Sequence, residues 1–192
     1  MNIMKSTLAV FMLLTLFLVV GCDKDKPSNH AAPPADKAPI TEKKDAAKKD
    51  SAAKTVEEFS IKVYYPDDKG MKLVGETRTL KPKEDKYKEA VQSLLSGTKT
   101  NGVTTIIPAK TKLNNIEVNN GVATVDFSED LVKNFIGGST GEEMLVGSIV
   151  NTLTEFSEVK SVQILLDGKK VNSLAGHIDA SVPIKRMTEL LQ

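Results

Sequence analysis

The sequence predicts one α+β domain, spanning residues 59–187, in which a mixed β-sheet carries two main helices on one face. Three observations lead to this prediction. Two segments have amphipathic helical periodicity, several short segments alternate as strands do, and an Asn-Gly turn gives a strong hairpin signal. Because strand pairs joined by turns are interrupted by the helices, the predicted order is β-β-α-β-β-α-β.

The domain is expected to begin with a strand pair and a helix. Residues 59–65 alternate as a strand that stops at Pro66, and residues 71–80 form the next strand after a polar turn. A helix is then expected to open at Pro82 and to end at Gly97, which suits a left-handed C-cap. Its apolar residues recur at helical spacing: Tyr87, Ala90, Val91, Leu94 and Leu95.

The second half of the domain is expected to contain a hairpin and a central strand. The turn at Asn119-Asn120-Gly121 joins a third strand to a fourth, since Asn and Gly tolerate positive φ. Val162, Ile164, Leu165 and Leu166 form an apolar run too continuous for a strand with one face in water, which favours a strand in the middle of the sheet. Asp167-Gly168 predicts a further turn.

A long helix is predicted between the fourth and fifth strands. Ser139 and Thr140 fit overlapping capping boxes with Glu142 and Glu143, and the two acids suit the positive end of the helix dipole. The stripe expected to face the core is Leu145, Ile149, Leu153 and Phe156, with Met144 alongside, and the residues expected to face away are Ser148, Asn151, Thr152 and Glu155.

The N-terminus predicts a lipoprotein leader. Lys5 precedes an apolar run over residues 8–20 that is too short for a comfortable transmembrane helix, and Val19-Val20-Gly21-Cys22 resembles the bacterial lipobox. We therefore expect a signal peptide at residues 1–21 and lipidation of Cys22. The alternative is an ordinary signal peptide with a stray cysteine. The expected location is the extracytoplasmic face of the bacterial cell membrane, the inner one if the cell has two.

Residues 22–58 predict a disordered polar tether. Lysines and acids balance there, Ala and Pro fill the gaps, and large apolar residues are rare. Such a segment cannot bury enough apolar surface to offset its conformational entropy. The alternative is a helix across residues 45–54, which would be marginal without an apolar stripe to pack.

Two segments suggest catalytic or nucleotide sites, and neither holds a full set of the required groups. The glycine-rich residues 137–141 precede a helix but lack the Lys-Ser/Thr pair of a P-loop, and the acids that follow would repel phosphate. His177, Asp179 and Ser181 are the residue types of a hydrolytic triad, but no nucleophile-elbow pattern surrounds any serine. We expect no catalytic residues and no enzymatic activity.

Metal and cofactor sites are also not expected. Zinc requires several N or S ligands, and His177 alone is available in the domain. Asp126, Ser128 and Asp130 lack the later glycine and glutamate of a calcium loop, so Asp126 and Ser128 are expected to cap a turn beginning at Leu131. A net charge of +1 gives no reason to expect a nucleic-acid partner.

The order and spacing of several motifs resemble the GerMN domain across residues 60–186. These motifs are the first strand at residues 61–67, Leu94-Leu95-Ser96-Gly97, Ile107-Pro108, residues 122–128, residues 151–156, Leu166-Asp167-Gly168 and Gly176-His177. The resemblance implies a non-enzymatic envelope lipoprotein of the sporulation and germination type, with a fold similar to the ring-building modules of secretion systems. Two such domains occur in tandem in the family's namesake, whereas this sequence has one.

The leading hypothesis is therefore a membrane-anchored interaction module that binds another envelope protein or itself, through a sheet edge or a helix face. It would assist assembly of an envelope complex for sporulation, germination or wall metabolism. One alternative is a regulator of a cell-wall amidase. A less favoured alternative is a wall hydrolase or a solute-binding lipoprotein.

Overall fold

The computed structural model describes residues 57–81 and 85–192. The predicted signal peptide, the lipidation site Cys22 and almost the whole predicted tether lie outside the described residues. Within the described ranges, no helix combines the length and the apolar character that a membrane span needs.

The chain forms seven strands, three α-helices and a final 3₁₀ turn in the described ranges. They are β1 (Phe59–Pro66), β2 (Leu73–Leu80), α1 (Lys86–Leu95), β3 (Leu113–Asn119), β4 (Val122–Phe127), α2 (Asp130–Lys133), α3 (Ser139–Leu153), β5 (Ser161–Leu166), β6 (Lys169–Lys170), β7 (Ile184–Lys185) and the 3₁₀ turn Thr188–Leu190. The α+β class and the β-β-α-β-β-α-β order of the main elements are confirmed.

The strands belong to two sheets. β1 and β2 form an antiparallel hairpin of their own, while the second sheet runs β3-β4-β5-β6, with β7 also paired to β5. That sheet is mixed, since β4 and β5 are parallel and joined by the α3 crossover, and its other pairs are antiparallel. The predicted central place of β5 is confirmed. The hairpin does not extend the mixed sheet because α3 contacts the outer edge of β1, where Tyr64 N donates to Thr152 Oγ1 at 3.0 Å.

The tight turns follow their predicted chemistry. Asn120 and Gly121 have φ of 51° and 81°, and Asp167 and Gly168 have φ of 45° and 76°. Both turns therefore use the left-handed region at consecutive residues, as a type I′ hairpin turn requires. Gly97 has φ of 75° directly after the end of α1, so its predicted C-cap role is confirmed.

The helix α1 begins later than expected. Its N-cap is Asp85, whose carboxylate accepts hydrogen bonds from Tyr87 N at 2.7 Å and Lys88 N at 3.0 Å. The helix therefore starts at Lys86, not at Pro82. Asp85 thereby satisfies two of the first-turn backbone donors that have no partner within the helix.

The hydrophobic core lies where α1 and α3 pack on each other and on the mixed sheet. Alternate residues of the parallel strands β4 and β5 line up in register on the core face. The inward residues of these two strands are Ala123, Val125, Phe127, Val162, Ile164 and Leu166.

The helix α3 is buried on both sides, which corrects one prediction. The expected stripe is buried, with Leu145, Ile149 and Leu153 at 0% exposure. The residues expected to face solvent were assigned wrongly in three cases, since Ser148, Asn151 and Thr152 are also at 0%. The reason is that the β1–β2 hairpin and the C-terminal segment (residues 184–192) cover this second face. Glu155 remains partly exposed.

Candidate functional site

The glycine-rich loop before α3 does not carry a capping box. The N-cap of α3 is Gly138, and no side chain caps the helix. The predicted pairs between Ser139 or Thr140 and the following glutamates are therefore wrong. Glu142 turns away from the helix terminus and into the protein, where it is fully buried.

Glu142 holds the segment 173–177 against α3. Its Oε1 accepts from Ser173 Oγ at 2.7 Å, Leu174 N at 3.0 Å and Ala175 N at 2.8 Å, and its Oε2 accepts from His177 N at 2.7 Å. Converging backbone N–H groups of this kind form an anion-binding concavity. Here that concavity is filled by the chain's own carboxylate.

The pKa of Glu142 reflects the same geometry. Burial raises the pKa, but the hydrogen bonds from Ser173, Ala175, His177 and Leu174 outweigh it, and the pKa lies below its usual value. The carboxylate is therefore held ionised. It serves to join two parts of the fold and is not free to take up or release a proton near neutral pH.

The residues of the suspected triad do not form one. Asp179 Oδ1 accepts from Ser181 N at 2.9 Å and from Ser181 Oγ at 2.6 Å, and these bonds lower the pKa of Asp179. His177 is exposed and is attached through its backbone N–H to Glu142. No hydrogen bond joins its ring to Asp179 or Ser181. The structure thus brings Asp179 and Ser181 together as a surface turn and leaves the imidazole outside that turn.

The suspected calcium-loop residues serve three different places. Asp126 Oδ1 accepts from Gly168 N at 2.8 Å, Ser128 Oγ accepts from Lys112 N at 3.1 Å, and Asp130 Oδ1 accepts from the Asn134 amide at 3.0 Å.

The predicted capping of a turn at Leu131 by Asp126 and Ser128 is therefore wrong. α2 has Glu129 as its N-cap, without a side-chain hydrogen bond. Across the described ranges, no three His, Cys, Asp or Glu side chains are grouped closely enough to hold a metal ion.

A second polar cluster fixes the C-terminal segment to α3. Asn151 is buried in α3, where its amide nitrogen donates to Met187 O at 3.0 Å and its amide oxygen accepts from Met187 N at 2.8 Å. The Arg186 guanidinium next to it donates to Asn151 O and Thr154 Oγ1, both at 3.1 Å. A side chain on one face of α3 thus forms hydrogen bonds with the backbone of the C-terminal segment, which has little regular secondary structure.

The same guanidinium reaches across to the β1–β2 hairpin. Arg186 donates to Tyr64 Oη at 2.9 Å and pairs with Glu155, while Tyr64 Oη donates to Glu155 at 2.8 Å. Beside this cluster lies an open cleft of about 420 Å³, lined also by Lys62, Gly75 and the last two residues of the chain. Because Arg186 and Glu155 are committed to each other and to Tyr64, the cleft presents few free charged groups to a ligand.

Sequence reasoning missed Glu142, Asn151 and Arg186 as structural cross-links. Their partners lie between 31 and 122 residues away along the chain. No local motif marks such a pairing. The sequence signal that could have been used is polarity at helix positions that otherwise lie among apolar residues, as at Asn151.

The comparisons with known proteins agree with this architecture. The family model described as "Germane: Sporulation and spore germination" matches residues 62–172. A curated relative, the spore germination protein GerM of Bacillus subtilis (strain 168), is 28% identical in a match 187 residues long, and the match covers 84% of this chain and 49% of that protein. The chain thus spans about half the length of the curated relative.

Solved structures show the same fold. The first GerMN domain of the sporulation protein GerM from Bacillus subtilis matches with a TM-score of 0.57 at 25% identity, covering 67% of this chain and 98% of that one. The tandem GerMN domains of the same protein match with a TM-score of 0.55 at 24% identity, covering 66% and 46% of the two chains. A putative lipoprotein from Clostridium perfringens matches with a TM-score of 0.51 at 22% identity, covering 72% and 95%.

Proposed function

The chain belongs to the Germane family of sporulation and spore germination domains, and from this premise we propose that it is a lipid-anchored envelope protein that docks other envelope proteins or itself. The family is not known as a family of enzymes. In this proposal the domain assists assembly of an envelope complex, and lipidated Cys22 holds it at the extracytoplasmic face of the membrane.

The observation that carries this proposal is how the domain uses its polar side chains. The buried or half-buried groups that a catalytic site would require are bonded to the protein's own backbone, as in Glu142, Asn151 and Arg186. These bonds link α3 to residues 173–177, to the C-terminal residues and to the β1–β2 hairpin, and they favour a rigid module. A rigid scaffold of this kind is suited to docking, because little conformational entropy is lost when a partner binds.

Anchoring is tested at Cys22. In the full chain expressed in a bacterial host, Cys22→Ala is expected to abolish incorporation of a radiolabelled fatty acid and to move the protein from the membrane pellet to the soluble extracytoplasmic fraction. Acyl chains attached to that cysteine supply the apolar surface that enters the bilayer. Cys22→Ser is a matched control for side-chain size, and it is expected to behave as Cys22→Ala does. A protein that remains acylated in both variants would contradict the proposal.

Docking is tested by cross-linking in intact cells followed by mass spectrometry of the captured proteins. Recovery of one or more envelope proteins, or of a second copy, is the expected result. If only highly abundant bystanders are recovered, at the level seen with an unrelated lipoprotein of similar abundance, the docking role is contradicted.

A regulator of a cell-wall amidase is the second candidate in this class. It is separated from an assembly factor by adding the purified chain to that enzyme and measuring the rate of wall cleavage. A changed rate would favour the regulatory role.

A further inference from the structure

Three dipeptides of the chain place a glycine directly after an asparagine or an aspartate. They are Asn101-Gly102, Asn120-Gly121 and Asp167-Gly168. In such a pair the glycine amide nitrogen attacks the side-chain carbonyl carbon of the preceding residue more easily than in other pairs, because glycine has no Cβ and a flexible backbone. The reaction also needs a nitrogen that is free of hydrogen bonds and a peptide that turns toward the side chain. The structure separates the three pairs on these two conditions.

The pair Asp167-Gly168 fails the first condition. Gly168 N donates to Asp126 Oδ1 at 2.8 Å, so the attacking nitrogen is already engaged. The carboxylate of Asp167 is engaged as well, since its Oδ1 accepts from the Asn114 amide at 3.0 Å. Both reacting groups of this pair are therefore held apart by other parts of the fold.

The pair Asn120-Gly121 fails the second condition. Asn120 lies in the left-handed region and joins two paired strand residues, Asn119 and Val122, in the type I′ turn. Turning the peptide between Asn120 and Gly121 toward the side chain converts the turn to type II′, whose first central position suits glycine and not asparagine. The carbonyl of Gly121 is also fixed, because it accepts from Lys160 N at 2.7 Å.

The pair Asn101-Gly102 meets both conditions. The two residues are exposed and lie outside the helices and strands, and φ is positive at Gly102 but not at Asn101. Among the contacts of the described residues, no hydrogen bond engages the Asn101 side chain or the Gly102 N–H. A Cβ built on Gly102 would meet no described atom within 4 Å. The peptide between the two residues therefore turns in open space without breaking a hydrogen bond.

We propose that Asn101 is a site of spontaneous deamidation, a covalent modification whose co-reactant is water. The amide nitrogen of Gly102 forms a bond to Cγ of Asn101, the bond from Cγ to the side-chain nitrogen breaks, and that nitrogen leaves as ammonia with the proton of the Gly102 N–H. Water then opens the succinimide ring. Attack of water at Cγ gives aspartate, and attack at the main-chain carbonyl carbon gives isoaspartate. The reaction involves no oxidation or reduction.

The modification changes a loop that is bound to the turn between β1 and β2. Asp68 N donates to Gly102 O at 3.0 Å, and Thr104 N donates to Pro66 O at 2.8 Å. Either product adds a negative charge directly before Gly102, whose carbonyl is bonded to the backbone of the acidic residue Asp68, and like charges repel. Isoaspartate also inserts one extra atom into the backbone there. We therefore expect the modified loop to be held less firmly, whatever partner the domain docks.

The site is tested by incubating the full chain in detergent at mildly alkaline pH, where base removes the amide proton of glycine. Peptide mapping by mass spectrometry follows the products, since tryptic peptides 100–110 and 113–133 separate the two asparagines. Asn120 is the matched control, because Gly and Val follow both residues. Deamidation is expected to be roughly tenfold faster at Asn101, because the strained turn that Asn120 must pass through is sparsely populated.

The same measurement in urea shows whether the fold causes the difference. The hairpin is lost there, so the two sites are expected to react at similar rates. Equal rates in the folded chain, or a faster reaction at Asn120, would overturn the proposal. An unchanged ratio in urea would also overturn it, since the local sequence would then set the difference. The absence of product at Asn101 in the folded chain, while both sites react in urea, has the same meaning.

The effect on the loop is measured by hydrogen exchange in the aged chain. The amides of Asp68 and Thr104 are expected to exchange at least about fivefold faster after modification, the change that loss of one typical hydrogen bond produces. Asn101→Gln is the control, because its longer side chain must close a larger ring and reacts more slowly. Its exposed position lets the domain fold as before. Equal exchange in the aged native chain and the aged variant would contradict the expected loosening.

Discussion

The carboxylate of Glu142 is buried and accepts hydrogen bonds from one side chain and three backbone N–H groups of residues 173–177. Leaving such donors without an acceptor costs about 1–3 kcal/mol each when they stay buried. The segment they belong to contains no helix or strand. Its conformation is therefore set by this one side chain to a large extent.

Glu142→Gln is expected to lower the free energy of unfolding by about 2–4 kcal/mol, because the amide carries one acceptor and turns its NH₂ toward donors. Chemical denaturation at neutral pH measures the change. Glu143→Gln is the matched control, since Glu143 is exposed on the next position of the helix, and it is expected to change stability by less than about 0.5 kcal/mol. Equal effects of the two substitutions would contradict the role of Glu142.

The pH dependence follows from the lowered pKa of Glu142. A carboxyl whose folded pKa lies below its unfolded value of about 4.3 contributes its full stability above that value and loses it as the pH falls through the folded pKa. Between pH 6 and pH 3, the melting temperature of the native chain is therefore expected to fall more than that of Glu142→Gln. Parallel pH profiles for the two proteins would contradict this assignment.

Gly147 has a steric role in α3. A Cβ atom at this position would lie 2.7 Å from Leu190 Cδ1 and 2.9 Å from Leu73 Cδ1. Gly147→Ala gains helix propensity of about 0.5–1 kcal/mol but overpacks the contact by about 1–3 kcal/mol, so a net destabilisation of roughly 1–2 kcal/mol is expected.

A double-mutant cycle checks this contact. In a Leu190→Ala background the same Gly147→Ala substitution is expected to cost less, since the closest methyl group is gone. Additive effects in urea denaturation would show that the two residues do not meet.

At the scale of elements, the C-terminal segment contacts the mixed sheet, α3 and the β1–β2 hairpin. β7 adds to β5 of the mixed sheet, Asn151 of α3 binds the backbone of Met187, and Gln192 bonds to Leu73 of the hairpin. Leu190 packs in a small apolar cluster with Tyr64, Leu73 and Met144. The segment therefore joins the sheet, the helix and the hairpin, although it contains only a two-residue strand and one 3₁₀ turn.

Asn151→Ala is expected to destabilise the domain by about 2–3 kcal/mol, because both backbone groups of Met187 lose their partner at a mostly buried position. Hydrogen exchange should show the Met187 amide opening at least about tenfold faster, with little change in α1. Asn134→Ala, at an exposed asparagine, serves as the control and is expected to be nearly neutral. An unchanged exchange rate at the Met187 amide would contradict this role of Asn151.

At the scale of the whole molecule, two sheets pack against the buried helix α3, and Asp179 and Ser181 share a surface turn that leaves the His177 ring outside. His177→Ala is expected to change stability by less than about 0.5 kcal/mol, since its ring is exposed and its only recorded bond is made by the backbone. Neither the native chain nor this variant is expected to cleave purified cell wall in a gel assay. Wall cleavage by the native chain that is lost in His177→Ala would instead favour a hydrolase.

Much of the fold was predictable because local chemistry decides it. The turns at Asn120-Gly121 and Asp167-Gly168 need positive φ, and few residues other than Asn, Asp and Gly supply it. The apolar residues Val162, Ile164, Leu165 and Leu166 predicted a central strand, and the pairing of β5 with β4 on one side and with β6 and β7 on the other confirms that place.

The roles of polar residues were predicted less well. From the local sequence, Glu142 was assigned to a capping box. Ser148, Asn151 and Thr152 were assigned to the outer face of α3. All four residues are buried, since elements distant in sequence cover them. Periodicity records how many faces of a helix are apolar. It does not record that a second face is covered by backbone that needs hydrogen-bond donors and acceptors.

The sequence by itself thus determined the α+β class, the order of the main elements, the turns and the family. These follow from side-chain periodicity and backbone sterics, which act over a few residues. Only the tertiary structure decided that β1 and β2 form a separate sheet, that Glu142 binds residues 173–177, and that Asn151 binds the backbone of Met187. Each of these features depends on contacts between residues that are far apart along the chain. The packing of the whole domain determines which of these residues come together.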